Sequence, residues 1–230
     1  MLKTTTIASG SKGNCTLVEI NGTRILLDCG VPFKFVPPDI YAVFISHMQH
    51  SDHFNKTTIK KLACPVYCPA ETPDPWESPD YLLADFVRLP QGGFIKAIPA
   101  DHDVPCVSYI INDDYSKMIY CTDTGTIPCA TLPYLMDCNI IHIEANHDIT
   151  MLLECKDNDD LKLRVNDTHL SNDQTVDILE LVKWKGLKHV IAGHLSEGNN
   201  SKAIVQRMLE LAVGEGCQVH VAPCDTVTVI

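Results

Sequence analysis

The run Tyr41–Ser46 (YAVFIS) is apolar over a strand's length and passes without a turn signal into His47-Met48-Gln49-His50-Ser51-Asp52-His53. A continuous apolar run belongs to a strand covered on both faces, whereas three histidines and an aspartate in the next seven positions need polar partners or a cation. A chain meets both demands by ending a central strand at the rim of a sheet and letting the polar loop emerge there. Imidazole nitrogen with carboxylate oxygen is a donor set for zinc, manganese or iron, and a carboxylate can bridge two ions. Asn55–Leu62, directly after the cluster, predicts a short helix.

The remaining pattern supplies the rest of the layers. Strand-length runs at Thr5–Ala8, Thr16–Ile20 and Arg24–Asp28 open the chain, with Asn21-Gly22 as a hairpin turn between the last two. Further strands are expected at Gly93–Ile98, Val104–Ile111, Lys117–Cys121 and Asn139–Glu144. Ser171-x-x-Gln174 reads as a capping box opening a helix with Val176, Leu179 and Val182 at helical spacing and Gly186 as its stop. A second helix starts near Asn200, sets Ile204, Met208 and Leu211 on one face, and ends at Gly214. Strand-like runs follow each, at Lys188–Ala192 and Gln218–Ala222. Ala70–Asp80, with its prolines and acidic residues, reads as a surface connection. No internal repeat is visible, and we expect a mixed α/β fold occupying residues 1–230 as one domain, its sheets covered by helices.

Composition narrows the setting. The chain has 230 residues, 45% of them hydrophobic, enough for a sizeable core. Eighteen Lys and Arg stand against 29 Asp and Glu, a net charge of −11 with no basic block, so the footprint of a protein that grips long nucleic acid is missing. Eleven cysteines include no CxxC pair, and Cys64 and Cys68 (CPVYC) lack the partners of a zinc site, which reads as buried thiols in a reducing compartment. The start is polar and no apolar run reaches the roughly 18 residues of a membrane span, so a cytoplasmic setting away from membranes is expected.

Other histidines fall just after apolar runs or at helix entrances: His102 in IPADHDVP, His147 in EANHD, His169 in NDTHLSN and His194 in IAGHLSEGNN. Loops at strand ends can converge on one point from distant parts of a chain. His189 and His220 lie inside strand runs and read as core or edge residues. The loop Ser9–Asn14 (SGSKGN) offers backbone N–H groups that suit a phosphate or a tight turn. Asn199 and Asn200 suit either ligand contact or a helix cap.

The ordered series ASGSKGN, ILLDCG, ISHMQHSDHF, HDVP, YCTDTG, EANHD, THLSN and GHLSEGNN resembles the metallo-β-lactamase superfamily across nearly the whole chain. More narrowly it resembles the branch with YycJ/WalJ-type nucleases, ribonuclease Z and related phosphodiesterases, including those of the anti-Pycsar type. The resemblance implies a four-layer αββα sandwich with two divalent metals, zinc first and manganese second. It implies His47, His50 and His102 as ligands of one metal, Asp52, His53 and His194 of the other, and Asp123 as the bridge. Asp28 would orient the histidine loop. Asp52, His169 and Glu144 would serve catalysis, His169 protonating the leaving oxygen with Glu144 behind it; a bare loop histidine is the alternative. Ser11, Asn14, His147 and Asn199 would meet substrate.

One departure stands out. The family pattern H-x-H-x-D-H is one residue longer here, so either a Met48-Gln49 bulge lets His47 bind or Met48 occupies the first ligand's place. Phosphodiester hydrolysis is the implied activity. The charge balance ranks a small nucleotide, such as a cyclic mononucleotide, ahead of a DNA end, and a transfer RNA arm finds no room between His102 and Asp123. A thioester or lactone hydrolase and a catalytically silent binding module are the other classes. Dimers are common among such relatives, so a homodimer is among the expectations.

Overall fold

The structure, a computed structural model, describes residues 1–69, 81–83 and 86–229. The expected surface connection Ala70–Asp80 lies outside these residues. The first sheet begins with β1 (Leu2–Ala8), β2 (Cys15–Ile20) and β3 (Thr23–Leu27), an antiparallel meander, and continues with β4 (Ala42–Phe44), β5 (Val66–Cys68) and β6 (Tyr81–Leu83), each parallel to its predecessor. Asn21 and Gly22 turn the chain between β2 and β3 with φ of 50° and 91°, the left-handed pair that a two-residue hairpin requires.

The second sheet runs from β7 (Phe86–Arg88) through β8 (Phe94–Pro99), β9 (Val107–Asn112) and β10 (Lys117–Cys121), all antiparallel neighbours. β11 (Ile140–Glu144), β12 (His189–Gly193) and β13 (Gln218–Val221) then add in parallel. The last strand, β14 (Cys224–Val229), returns to the first sheet and pairs antiparallel with β1. β5, β6, β7 and β14 have no counterpart among the strands expected from the sequence.

Three apolar clusters hold the layers. Leu2, Val18, Ile25 and Phe44 of one sheet meet Ile95, Tyr109, Met118 and Ile191 of the other between the sheets. On the outer face of the first sheet, Val43, Ile45 and Val66 pack with Ile59 of α1 (Lys56–Leu62). Outside the second sheet, Ile141, Ile143 and Val190 are covered by Leu179 and Val182 of α5 (Asn172–Val182) and Val205 and Leu209 of α6 (Lys202–Val213). The other described helices are α2 (Leu132–Leu135), α3 (Ile149–Glu154) and α4 (Asp159–Thr168). This is the expected αββα sandwich.

Local signals explain the helix ends. Ser171 accepts from the Gln174 amide while the Gln174 side chain accepts from Ser171 N, a complete capping box. Asn55, Asp148 and Asn158 cap α1, α3 and α4 in the same oxygen-to-amide manner. One expectation is corrected: the buried stripe of α6 is Val205, Leu209 and Ala212, and Leu211 is 76% exposed. Ile204 and Met208 ride the stripe's edge because the sheet meets the helix one position further along.

Among the described residues no helix is long and apolar enough to cross a membrane. Of the two cysteines of the CPVYC stretch, Cys68 is buried and Cys64 half-buried.

Candidate metal centre

Parallel strands deliver functional groups at their carboxyl ends, and here both sheets do so along one edge. Asp28 follows β3, His47 follows β4, Asp123 follows β10, Glu144 ends β11 and His194 follows β12. Asp28, Asp123 and His194 have φ of 56°, 54° and 52°. The left-handed region costs a residue with a Cβ roughly 1–2 kcal/mol and persists where surrounding contacts enforce it. Those contacts are specific. Asp28 is fully buried and accepts from Ser46 N at 2.8 Å, Tyr120 Oη at 2.9 Å and His53 Nδ1 at 2.8 Å. His53 Nε2 is thereby turned toward Asp123.

The loop backbone is pinned from both sides: Asn14 N donates to Asp52 O at 2.6 Å and Cys29 N to His53 O at 2.9 Å. Gly30 permits this approach, since a Cβ there would collide with the Asp52 carbonyl.

Two groups of donor atoms result. His47, His50 and His102 form one; Asp52, His53 and His194 form another; Asp123 stands with His47 and His53, and again with Glu144, His169 and His194. Within each set the atoms lie within 4.8 Å of one another. Asp123 Oδ2 is 2.9 Å from His53 Nε2, Asp123 Oδ1 is 3.2 Å from His194 Nδ1, and Asp52 Oδ2 is 3.5 Å from both His53 Nε2 and His194 Nε2. His102 Nδ1 donates to Thr168 O at 3.0 Å, which leaves its Nε2 facing inward.

Nε2 of His47, Nε2 of His102 and Oδ2 of Asp123 are buried without a well-directed hydrogen bond. Buried polar atoms are rarely left so, and a pair of divalent cations between these groups would engage all three. The residues fit a binuclear centre.

His47 is fully buried within these clusters, and Met48 turns instead into the apolar cluster of Ile45, Cys29 and Phe54. The extra residue in the loop is absorbed by the Gln49 side chain, which accepts from Met48 N at 3.0 Å. Replacing His47 with Ala is expected to lower metal content and activity, whereas Met48→Ala should cost stability, about 2–5 kcal/mol for a buried Met, and leave the metal in place. Elemental analysis beside thermal melts separates the two, and metal loss confined to the Met48 variant would reverse the assignment.

Electrostatics match the geometry. Burial pushes His47 down to about 3, and it lowers His102 as well. Burial acts the same way on His53, but Asp123 and Asp28 outweigh it and hold the imidazole well above its usual range. His194 is likewise carried to about 10, against burial, by Asp123, Asp52 and Glu144. Burial alone would raise Asp123, yet His194 and His53 hold it well below the usual carboxylate range. A cation entering here therefore displaces protons from His53 and His194. Metal uptake by chelator-stripped protein should release protons, and apparent affinity should fall as pH falls. Titration with a pH indicator in weak buffer measures this, and a pH-independent affinity would contradict it.

Behind the clusters sits Glu144, fully buried, whose Oε1 accepts from Thr124 N at 2.7 Å and Leu170 N at 3.2 Å. Its Oε2 faces His169 Nδ1 at 3.1 Å and His194 Nδ1 at 3.4 Å. Burial would raise this carboxyl; His169 and then His194 keep it below its ordinary value. The cleft over the site is lined by Ser11, His50, Asp52, Asp123, His169 and Arg164, among others.

Three residues expected to meet substrate are buried. Asn14 is buried and holds His53 Nε2 at 2.9 Å and Gly10 N at 2.9 Å, a brace for the histidine loop. His147 is fully buried with neither ring nitrogen bonded. Asn199 is buried, its carbonyl accepting from Asp148 N at 2.8 Å. Arg164 was not anticipated. It reaches the cleft from α4 and grips Asp103 through Nε at 2.8 Å and Nη2 at 2.7 Å, while the other Asp103 oxygen stands 3.2 Å from His102 Nε2. His189 and His220 pair with each other at 3.2 Å.

A family model for the beta-lactamase superfamily domain matches residues 23–194, well over half of the chain. The chain belongs to this superfamily. Among curated relatives of this superfamily member, the exodeoxyribonuclease WalJ of Streptococcus pneumoniae is 26% identical over 96% of this chain and 94% of its own length. The exodeoxyribonuclease YycJ of Bacillus anthracis is 25% identical over 93% and 92%. Among solved structures, the metallo-beta-lactamase fold protein YhfI from Bacillus subtilis superposes with a TM-score of 0.75 at 17% identity, covering 99% of this chain and 100% of its own.

Proposed function

We propose that this superfamily member is a metal-dependent phosphodiesterase that acts on DNA strand ends, with His47, His50 and His102 at one ion, Asp52, His53 and His194 at the other, and Asp123 between. The observation that carries the reading is the His169–Glu144 pair, 3.1 Å apart, with His169 lining the cleft beside Asp123. Two divalent ions in such a site supply an activated water and a clamp on the oxygens of an in-line displacement. The chain's own groups do the rest. Glu144 accepts from His169 Nδ1, so Nε2 is the atom that carries a proton to the departing oxygen. Arg164, on the cleft wall, brings a guanidinium toward an incoming phosphate while Asp103 fixes its plane. Asp28 holds the His53 ring through Nδ1, which leaves Nε2 for the ion, and Asn14 stands beside that nitrogen. A thioester expels a thiolate that leaves without a proton, so the pair favours an ester with a poor leaving oxygen, a phosphodiester among them.

The relatives named as exodeoxyribonucleases support a DNA end as substrate. A small nucleotide such as a cyclic mononucleotide is the second reading, favoured by the net charge of −11. Parallel turnover assays with zinc or manganese, using 5′-labelled DNA and 3′,5′-cyclic nucleotides, decide the order. Stepwise DNA shortening with intact cyclic nucleotides is expected. Rapid cyclic nucleotide opening with intact DNA would reverse the order, and protein that takes up no metal would remove the enzyme reading altogether.

A further inference from the structure

Although the chain is acidic overall, the segment that adjoins the metal loop carries a small excess of lysine. Between Cys29 and Ala63 four lysines (Lys34, Lys56, Lys60 and Lys61) face Asp39 and Asp52 as the only acidic residues. All four lysines are exposed. The same surface carries two large aromatics where solvent reaches them: Phe33 is 44% exposed and Phe35 54%. They sit on a 3-10 turn, Phe33–Phe35, that contributes no buried residue to the core, so packing does not explain their size. Lys34 Nζ stands 4.8 Å from the Phe35 ring centre and Lys61 Nζ 5.6 Å from that of Phe33, so each ring is paired with a cation.

The turn is rigidly placed with respect to the candidate ligands. Thr58 Oγ1 of α1 donates to Val31 O at 2.7 Å, and Cys29 N is bonded to His53 O. Gly30 abuts Asp52, and three further residues span at most about 11 Å, so Phe33 lies within that reach of the metal loop. Alternating rings and cations beside a phosphodiester-cleaving site have the chemistry of a single-strand track, where bases stack on the rings and phosphates pair with the lysines.

We propose that the turn Phe33–Phe35, with Lys34 and Lys61 at its rings, is the platform on which a single DNA strand rests as its end enters the metal cleft. The proposal rests on the DNA-end reading above. It also reconciles that reading with the chain's charge: a short track needs few cations, and the net charge of −11 disfavours a longer contact.

The test is fluorescence anisotropy of the metal-loaded enzyme with a labelled, phosphorothioate-linked oligothymidine, run across a salt series. Each of Phe33→Ala and Phe35→Ala is expected to weaken binding about 5- to 100-fold. Lys34→Ala and Lys61→Ala should each flatten the slope of log affinity against log salt by about 0.7. Turnover of bis(p-nitrophenyl) phosphate, too small to reach the turn, should be unchanged in all four. Wild-type affinity and salt slope in these variants would overturn the platform. So would a wild-type dimer that dissociates in the Phe variants with DNA affinity intact, since the patch would then join two copies of the chain. A wild-type enzyme that binds the strand through these residues yet never shortens native DNA would keep the platform and sink the substrate reading. One that does not bind the strand at all would sink both.

Discussion

Asp123→Asn is expected to strip metal from the protein and remove turnover by on the order of 10³-fold or more, since the clamp it completes supplies several kcal/mol at about 1.4 kcal/mol per tenfold. The substitution isolates charge from shape. Asn tolerates the left-handed backbone that Asp123 adopts at φ 54°, so the loop need not move. What disappears is the negative charge on which His53 Nε2 at 2.9 Å and His194 Nδ1 at 3.2 Å converge. Elemental analysis, with p-nitrophenyl phosphodiester turnover beside it, measures both consequences. A variant that keeps its full metal complement and its rate would show that the carboxylate does not join the two clusters.

His169→Ala should leave metal content unchanged and slow the cleavage of native DNA by about 10²- to 10⁴-fold, the range for a positioned acid. Substrates that release p-nitrophenolate need no proton and should lose far less. The contrast matters because His169 Nδ1 also stands 3.6 Å from Asp123 Oδ1 and belongs to a candidate ligand group. If the variant loses metal, or loses both substrates equally, His169 is a ligand and Glu144 merely its support.

Much of this arrangement is legible in the sequence for local reasons. Asn21-Gly22 and the Ser171/Gln174 box act within a few residues, and the structure uses both as written. The apolar run into His47 required a strand end, and it is one. Other features carry no local signal. α4 has Leu161 and Leu163 40% and 60% exposed and only Thr168 buried, so its apolar residues trace no buried stripe behind the Asn158 cap. Arg164 rides on that helix and carries no local signal of its own. Whether Asn14 meets substrate or braces His53 depends on a partner some forty positions away, separated by 39 residues in sequence. Nor does a period of 3.6 say which of two neighbouring apolar stripes on α6 the sheet will claim.

The two sheets, for all that no repeat is visible in the residues, are wound alike. In each, three antiparallel strands lead into three parallel additions, β1 to β6 in one and β8 to β13 in the other, and an extra antiparallel strand closes the meander side, β14 or β7. Asp28 and Asp123 occupy corresponding places, just past the third meander strand of each half, and both take the left-handed backbone there. They are architectural twins that have parted company: one is sealed inside by Ser46, Tyr120 and His53, the other lines the floor of the cleft. A lopsided reaction centre has thus been made from a symmetrical frame, with one half giving its aspartate to hold the machinery still and the other giving its aspartate to the chemistry.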